Sequence, residues 1–179
     1  MARENSFGIC ICGLNGCGKT TLGRELAERL GFYPMDVESY YFSPDDVTYA
    51  SPRPREHVIA SLLADMEKHP RFVFSAVCGE ADERIAQRFS VVIYLETSRE
   101  IRASRLQKRM LARFGARAEQ GGDLYAQQQD FLRFALQRET THIEQWLAAR
   151  SCPVLRLDAS LPISELIAQI MPVIENPTA

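Results

Sequence analysis

The nine residues GLNGCGKTT, residues 13–21, directly follow the apolar run FGICIC of residues 7–12. Their first eight letters satisfy the pattern G-x-x-x-x-G-K-[ST], in which a glycine-rich loop joins a buried strand to a helix. Glycine lets the backbone N–H groups of such a loop turn inward and surround a phosphate without interference from Cβ atoms. The positive end of the following helix dipole faces the same anion. The segment therefore predicts a nucleotide-binding loop, the P-loop, near the start of an α/β fold.

Positions within the P-loop have predicted roles toward ATP and Mg²⁺. Lys19 is expected to reach the β and γ phosphates, the Thr20 hydroxyl to bind Mg²⁺, and Thr21 to lie near the α phosphate. The alternative is a chance match in a glycine-bearing turn, but the flanking strand and helix patterns favour nucleotide binding. The motif does not indicate what receives the γ phosphate. The other predicted nucleotide contacts are Gly13, Asn15, Gly16, Cys17 and Gly18.

Continuous apolar runs alternate with helical patterns along the rest of the chain. Such runs predict strands buried on both faces, so we expect a mostly parallel sheet between two layers of helices. A chain of 179 residues suits a single domain, which we expect to cover residues 1–179. Strands are predicted at residues 6–12, 32–37, 71–78, 91–96 and 152–158. Helices are predicted at residues 19–30, 55–68, 98–114, 124–149 and 162–171, with a short helix between residues 79 and 89 and a loop over residues 43–54.

Composition excludes several other classes of protein. No apolar stretch approaches the roughly 20 residues that a membrane-spanning helix needs, and the first letters, MARENSFG, hold no apolar signal-peptide core. We therefore expect a cytoplasmic protein without membrane contact. A net charge of −2 weighs against a nucleic-acid-binding surface. The five cysteines are odd in number and form no C-x-x-C pair, so we expect reduced thiols, neither disulfides nor a zinc site.

The segment GLNGCGKTTLGRELAERLGF, residues 13–32, resembles the start of the shikimate kinases, within the nucleoside-monophosphate-kinase-like group of small P-loop kinases. The resemblance implies a three-layer P-loop NTPase fold with a five-stranded parallel sheet in the order 2-3-1-4-5 and a helical lid, here about residues 105–130. It implies ATP- and Mg²⁺-dependent transfer of phosphate to a small hydroxylated metabolite. Two alternatives are a nucleoside monophosphate kinase of the adenylate or cytidylate type and a regulatory ATPase of the AAA type, which acts through a partner. The sequence gives no sign of a protein partner.

Two carboxylates close the second predicted strand, at the edge of the sheet where ligands of open α/β folds bind. Asp36 and Glu38 lie where the shikimate kinases, by resemblance, carry the pattern D-x-D. The resemblance implies that Asp36 helps to bind Mg²⁺ and that one of the two carboxylates accepts the proton of the acceptor hydroxyl. Glu38 departs from the pattern by its longer side chain. A solvated loop carboxylate is the alternative for either residue.

Three arginines resemble the acceptor-binding arginines of the shikimate kinases. The letters RPRE, residues 53–56, resemble an R-x-x-E segment that grips the carboxylate of the acceptor. Arg53 is its predicted gripping residue, and Arg55 is the alternative. The letters LQRETTH, residues 136–142, resemble a later L-x-x-R segment and make Arg138 a second contact with the acceptor or the phosphate. Ordinary solvent-exposed helix positions remain the alternative for all three.

The end of the third predicted strand departs from the shikimate kinase pattern. A glycine triplet cradles the acceptor there, whereas this chain has Cys78, Gly79 and Glu80, so only Gly79 is a predicted acceptor contact. Glu80 would repel a carboxylated acceptor, which argues against shikimate itself. The strand also lacks the Asp of an ordinary Walker B motif. Either Glu80 or Asp82 approaches the metal in its place, or they only cap the short helix.

A stripe of arginines marks the predicted lid. Arg102, Arg105, Arg109 and Arg113 recur at i, i+3, i+7 and i+11 on one helix face, and Arg117 follows in a glycine-bearing break. Small kinases use such arginines to hold the transferring phosphate and exclude water, so Arg109 and Arg117 are predicted catalytic residues. A charged outer helix face would give the same stripe. The next predicted helix carries aromatic residues that either pack it or line the acceptor pocket: Tyr125, Phe131 and Phe134.

Two further segments resemble the adenine-binding end of these kinases. The letters RASRLQKR, residues 102–109, resemble the entry to the lid, where an arginine stacks on adenine, and Arg105 fits that place best. The letters LDASLP, residues 157–162, resemble the loop that covers the other face of adenine. The resemblance makes Asp158 and Pro162 predicted nucleotide contacts.

Overall fold

The computed structural model describes residues 6–46, 51–79 and 82–175. Five strands form one sheet in the order β2-β3-β1-β4-β5, and every neighbouring pair is parallel. This order confirms the predicted α/β topology, with β1 in the centre of the sheet. The strands are β1 Phe7–Cys12, β2 Tyr33–Asp36, β3 Arg71–Ser75, β4 Phe89–Glu96 and β5 Val154–Asp158.

Helices cover both faces of the sheet, as strands without a polar face require. Along β1, Cys10 and Cys12 join the core beneath α3, α4 and α7, while Ile9 and Ile11 join the core beneath α1 and α8. The helices are α1 Lys19–Leu30, α2 Val37–Tyr41, α3 Arg55–Lys68, α4 Glu83–Ala86, α5 Arg99–Phe114, α6 Tyr125–Gln137, α7 Thr141–Ala148 and α8 Ile163–Glu175, and a 3₁₀ turn spans Gly115–Ala118.

The predicted long helix over residues 124–149 is wrong, because α6 and α7 are separate helices. Arg138, between them, has an extended backbone with φ −61° and ψ 133°, so the helix cannot continue through it. The two helices serve different cores: Leu132 of α6 packs against Leu106 of α5, whereas Trp146 of α7 packs beneath the sheet. The β-branched Thr140 and Thr141 are weak helix formers at the break.

Other element boundaries shift by a few residues. The helix α2, which the sequence did not predict, begins directly after β2, and β3 ends at Ser75 instead of residue 78. Within the described residues, no helix is both long enough and apolar enough to cross a membrane. The single-domain organisation, the lid over about residues 105–130 and the cytoplasmic location stay predictions.

Candidate nucleotide and acceptor site

The P-loop folds between β1 and α1 with a backbone that only glycine adopts easily. Gly13 and Gly16 have φ angles of 143° and 87°. A Cβ atom on Gly13 would lie 2.5 Å from the Leu95 carbonyl oxygen, and one on Gly16 would lie 2.9 Å from that of Arg102. No side chain caps the start of α1 at Gly18, so the first N–H groups of this helix stay available to an anion. This geometry fits a phosphate cradle.

Lys19 supplies the positive charge of the cradle. Its Nζ atom donates to the Leu14 carbonyl oxygen at 3.0 Å and lies 4.0 Å from the Cys17 sulfur, so the ammonium lies across the loop. Burial raises the pKa of the Cys17 thiol, and the nearby ammonium only partly opposes that shift. Because the thiol is neutral at pH 7, it does not cancel the charge of Lys19.

A cleft of about 600 Å³ opens above the P-loop. The ends of β2 and β3, the helix α5, the break after α6 and the loop after β5 form its other walls. Most of the sequence-predicted site residues therefore come together in one place. The predicted residues that line this cleft are Asn15, Gly16, Cys17, Gly18, Lys19, Thr20, Thr21, Asp36, Glu38, Arg105, Arg109 and Arg138.

Asp36 and Glu38 reach the cleft from two different elements. Asp36 ends β2 and caps α2, since its Oδ1 atom accepts a hydrogen bond from the Glu38 N–H at 3.2 Å. Glu38 lies in the first turn of α2, not at the end of the strand as predicted. The cap fixes the point where the chain turns from strand into helix, so both carboxylates face the cleft.

The oxygen atoms that line the cleft fit Mg²⁺ better than a softer metal. Thr20, Asp36 and Ser75 offer hydroxyl and carboxylate oxygens, which are the ligands that Mg²⁺ prefers. Among the described residues, no three His, Cys, Asp or Glu side chains cluster closely enough to hold a metal ion. Mg²⁺ commonly keeps several waters and binds through one or two protein oxygens and the phosphates of its nucleotide, and this sparse donor set suits that mode.

Ser75 is a site residue that the sequence reasoning missed. It ends β3, is 4% exposed, and places its Oγ atom 3.4 Å from the Lys19 carbonyl oxygen. The only signal in the sequence is a hydroxyl at the end of the apolar run RFVFS. Asp82 instead caps α4 and pairs with Arg84, which lowers the pKa of Asp82 to about 2. Glu80 lies outside the described residues.

Arg105 joins the P-loop to the loop after β5. Its guanidinium donates to the Cys17 carbonyl oxygen at 3.3 Å and to the Ala159 carbonyl oxygen at 2.8 Å. Ala159 lines the cleft beside Leu161, at the end where adenine binding is predicted. Arg105 therefore holds two walls of the cleft together.

Two arginines connect the carboxyl end of α6 to the P-loop. Arg102, whose role the sequence did not reveal, is 5% exposed and donates to the Ala135 carbonyl oxygen at 3.1 Å and to that of Asn15 at 3.5 Å. Arg138 donates to the Asn15 side-chain oxygen at 3.4 Å. Burial lowers the pKa of Arg102. Both contacts tie the helical side of the cleft to the phosphate cradle.

Several predicted site residues do not line the cleft, and their contacts with ligands stay predictions. Arg53 donates to the Tyr40 carbonyl oxygen at 3.3 Å, and Arg117 forms a 2.7 Å ion pair with Asp123 on the surface. Gly79 is buried under Trp146, whose ring would lie 2.4 Å from a Cβ atom there. The predicted residues outside the cleft lining are Gly13, Arg53, Arg55, Gly79, Arg117, Asp158 and Pro162.

The chain matches known sequences along most of its length. The family model AAA_18, described as an AAA domain, matches residues 9–114. The Bacillus subtilis (strain 168) protein YqaC, described as uncharacterised, is 30% identical over 172 residues, which are 91% of this chain and 94% of that protein. Shikimate kinase 2 of Pectobacterium atrosepticum is 29% identical over 109 residues, which are 56% of this chain and 63% of that protein.

Solved structures of small kinases share the fold. A gluconokinase from Sinorhizobium meliloti 1021 superposes with a TM-score of 0.59 at 16% identity and covers 97% of both chains. A deoxyadenosine kinase from M. mycoides, with dCMP and dCDP bound, gives a TM-score of 0.59 at 19% identity over 95% of this chain and all of the other. The predicted resemblance to small P-loop kinases is thereby confirmed.

Proposed function

This chain belongs to the AAA_18 family of AAA domains, and from that premise we propose that it is a phosphotransferase, which transfers the γ phosphate of ATP to a small hydroxylated molecule with Mg²⁺ as cofactor. One observation carries the proposal. A single cleft joins the P-loop to two carboxylates, one at the end of β2 and one in the first turn of α2, and to three arginines of the helical side. A protein that only bound nucleotide would use one carboxylate for Mg²⁺ and would not need the second, whereas phosphate transfer needs positioning, charge neutralisation and a group that takes the proton of the acceptor.

The cradle holds the phosphates, and the arginines balance their charge. Backbone N–H groups of the P-loop and the Lys19 ammonium bind the β and γ phosphates. Arg109, exposed at the rim of the cleft, approaches the transferring phosphate from the side of α5. Thr20 and Asp36 would hold Mg²⁺, which neutralises charge on the phosphates.

Glu38 is the better placed of the two carboxylates to accept the proton of the acceptor hydroxyl. The Asp36 carboxylate already accepts the Glu38 N–H, which keeps it beside the strand end and the P-loop. Glu38 has the longer side chain and lines both the main cleft and a neighbouring cavity. We therefore assign Mg²⁺ binding to Asp36 and the general-base role to Glu38.

A nucleoside monophosphate is the less favoured acceptor. Its phosphate needs several arginines, and of the three predicted candidates only Arg138 lines the cleft. Arg53 binds the end of α2 instead, and Arg55 lies exposed at the start of α3. A small acceptor that carries a hydroxyl group but no phosphate fits this distribution of charge better.

The test is acceptor-dependent ADP formation with ATP and Mg²⁺. In a panel of sugars, polyols, shikimate, nucleosides and nucleotides, we expect at least one acceptor to raise ADP formation well above the hydrolysis background. Glu38→Gln, which removes the proposed general base, should lower that rate about 100-fold and leave ATP binding near the wild-type value. The control Asp45→Asn, which removes an exposed carboxylate outside the cleft, should behave as wild type. A flat panel, together with ATPase activity that a partner protein stimulates, would contradict the proposal and support a regulatory ATPase.

A further inference from the structure

A second cavity of about 300 Å³ lies between α2, α5 and α6. It shares Glu38, Leu106 and Arg109 with the nucleotide cleft, so the two spaces adjoin at the proposed general base. The sequence left open whether the aromatic residues of α6 pack that helix or line a pocket. The structure answers differently for each: Phe131 lines this cavity, while Tyr125 and Phe134 are 37% and 58% exposed.

Six of the eleven residues that line the second cavity are aromatic or aliphatic, and the other five are Glu38, Arg109, Arg113, Gln127 and Gln128. The six include Phe42 after α2, Met110 and Phe114 on α5, and Phe131 and Leu132 on α6. Hydroxyl groups of a sugar or polyol that lie against these apolar side chains would lose their hydrogen bonds to water, which is unfavourable. An apolar cavity of about 150 Å³ holds one benzene ring, so this cavity is large enough for a single or fused aromatic ring. Its phenylalanine and methionine side chains favour contact with such a ring.

One buried polar side chain also lines the cavity. Gln128 of α6 is 8% exposed and lines the cavity between α5 and α6. Gln128 can donate and accept at once, as the edge of a heteroaromatic ring or a ring substituent requires.

We propose that the second cavity binds the aromatic or heteroaromatic ring of the acceptor, and that a hydroxyl group on this acceptor meets Glu38. The inference rests on the proposed function and names its substrate class. The acceptor oxygen forms the new bond to the γ phosphorus, while the bond from that phosphorus to the β–γ bridging oxygen breaks. Glu38 takes the hydroxyl proton, and ADP leaves with the electron pair of the broken bond.

Ring binding can be measured without catalysis. Saturation-transfer NMR would use benzyl alcohol and glycerol as probes, with a non-hydrolysable ATP analogue in the nucleotide cleft. We expect saturation of the benzyl ring protons and none of glycerol. Phe131→Ala and Met110→Ala should each weaken the ring signal. The matched controls Tyr125→Ala and Leu111→Ala remove exposed side chains of the same helices that do not line the cavity, and they should keep the signal. No ring signal in the wild type, or an equal signal in all variants, overturns the ring site.

Activity then separates this inference from the proposed function. Two pairs of acceptors differ in whether they carry an aromatic or heteroaromatic ring. Benzyl alcohol is compared with ethanol, and thymidine is compared with 2-deoxyribose. We expect kcat/KM to be about tenfold higher with the ring, and Phe131→Ala to remove that difference mainly through KM. Equal use of acceptors with and without a ring overturns the inference and leaves phosphate transfer standing. Ring binding without phosphorylation of any acceptor supports the ring site and contradicts the proposed function.

Discussion

One continuous stretch of chain forms most of the nucleotide half of the cleft, whereas the acceptor half is assembled from separate elements. The nucleotide half is residues 15–21 with Ser75 and Arg105. The acceptor half is Asp36, Glu38, Arg109, Arg138 and the second cavity. The first depends on local backbone geometry, since glycines shape the loop and the following helix supplies its N–H groups. The second depends on how α2, α5 and α6 pack.

The two halves also differ in how tightly they are held. In the nucleotide half, the carbonyl oxygens of Leu95 and Arg102 approach the P-loop glycines closely. Arg102 and Arg105 add hydrogen bonds from α5 to the same loop. On the acceptor side, Arg109 is exposed at the rim. We infer that the nucleotide half tolerates little change, while the acceptor half can vary to suit its substrate.

The largest expected effect follows from removing the positive charge of Lys19 in the P-loop. Lys19→Ala removes the ammonium that we propose binds the β and γ phosphates, and we expect ADP formation to fall about 1,000-fold with weaker ATP binding. Lys68→Ala, at the end of α3 and exposed, is the matched control and should keep full activity. Steady-state kinetics and nucleotide titration measure both. If Lys19→Ala bound and used ATP as the wild type does, the nucleotide half would not lie at the P-loop.

A pair of glycine substitutions compares the packing of the P-loop with that of the predicted lid. Gly13→Ala places a Cβ atom 2.5 Å from the Leu95 carbonyl oxygen at a φ of 143°, and we expect a loss of about 3 kcal/mol in the free energy of unfolding. Gly121→Ala, in the predicted lid, has a φ of 94° but no atom within 4 Å of its Cβ, so backbone strain alone costs about 1 kcal/mol. Urea unfolding measures both values. Equal losses would contradict the difference in packing.

The smallest expected effect comes from an ion pair outside both halves. Arg156 donates to Glu144 at 3.0 Å and holds the pKa of that carboxyl below its usual range. Because the folded pKa is the lower one, the stabilisation is present above the unfolded pKa of about 4.3. It is lost as the pH falls through the folded pKa. The side chains of Glu144 and Arg156 are 39% and 46% exposed, so we expect this ion pair to add about 0.5 kcal/mol to the free energy of unfolding.

The variant Glu144→Gln isolates this ion pair. Urea unfolding should show that it is less stable than the wild type at neutral pH, and that the difference shrinks as the pH falls through the folded pKa of Glu144. A difference that stays constant across this range would mean that the pair does not act through charge.

The sequence predicts the nucleotide half well because its signals are local. The bounds of α1, residues 19–30, agree with the structure, and Gly31 ends this helix in the left-handed conformation at φ 66°. The P-loop glycines and the apolar β1 are equally local features. The sequence motif and the backbone geometry of the P-loop involve the same few residues. The resemblance of these residues to the shikimate kinases implied the sheet order 2-3-1-4-5, which the structure has.

The residues of the site that the sequence missed could not be predicted in this way, because packing decides where they lie. The roles of Arg102 and Gln128 depend on burial between α5, α6 and the P-loop, which no short pattern encodes. Ser75 becomes part of the site only because β3 lies beside β1. The break at Arg138 likewise follows from the different cores that α6 and α7 join.

Titration calorimetry of the folded protein with ATP and with ADP, in buffer that contains Mg²⁺, tests the central claim most directly. The account predicts saturable binding of both nucleotides with a Kd between about 1 μM and 1 mM. If neither nucleotide gave any binding heat, while a thermal melt showed cooperative unfolding of the same sample and fluorescence titration also found no binding, the P-loop would not be a nucleotide site and the account would fail.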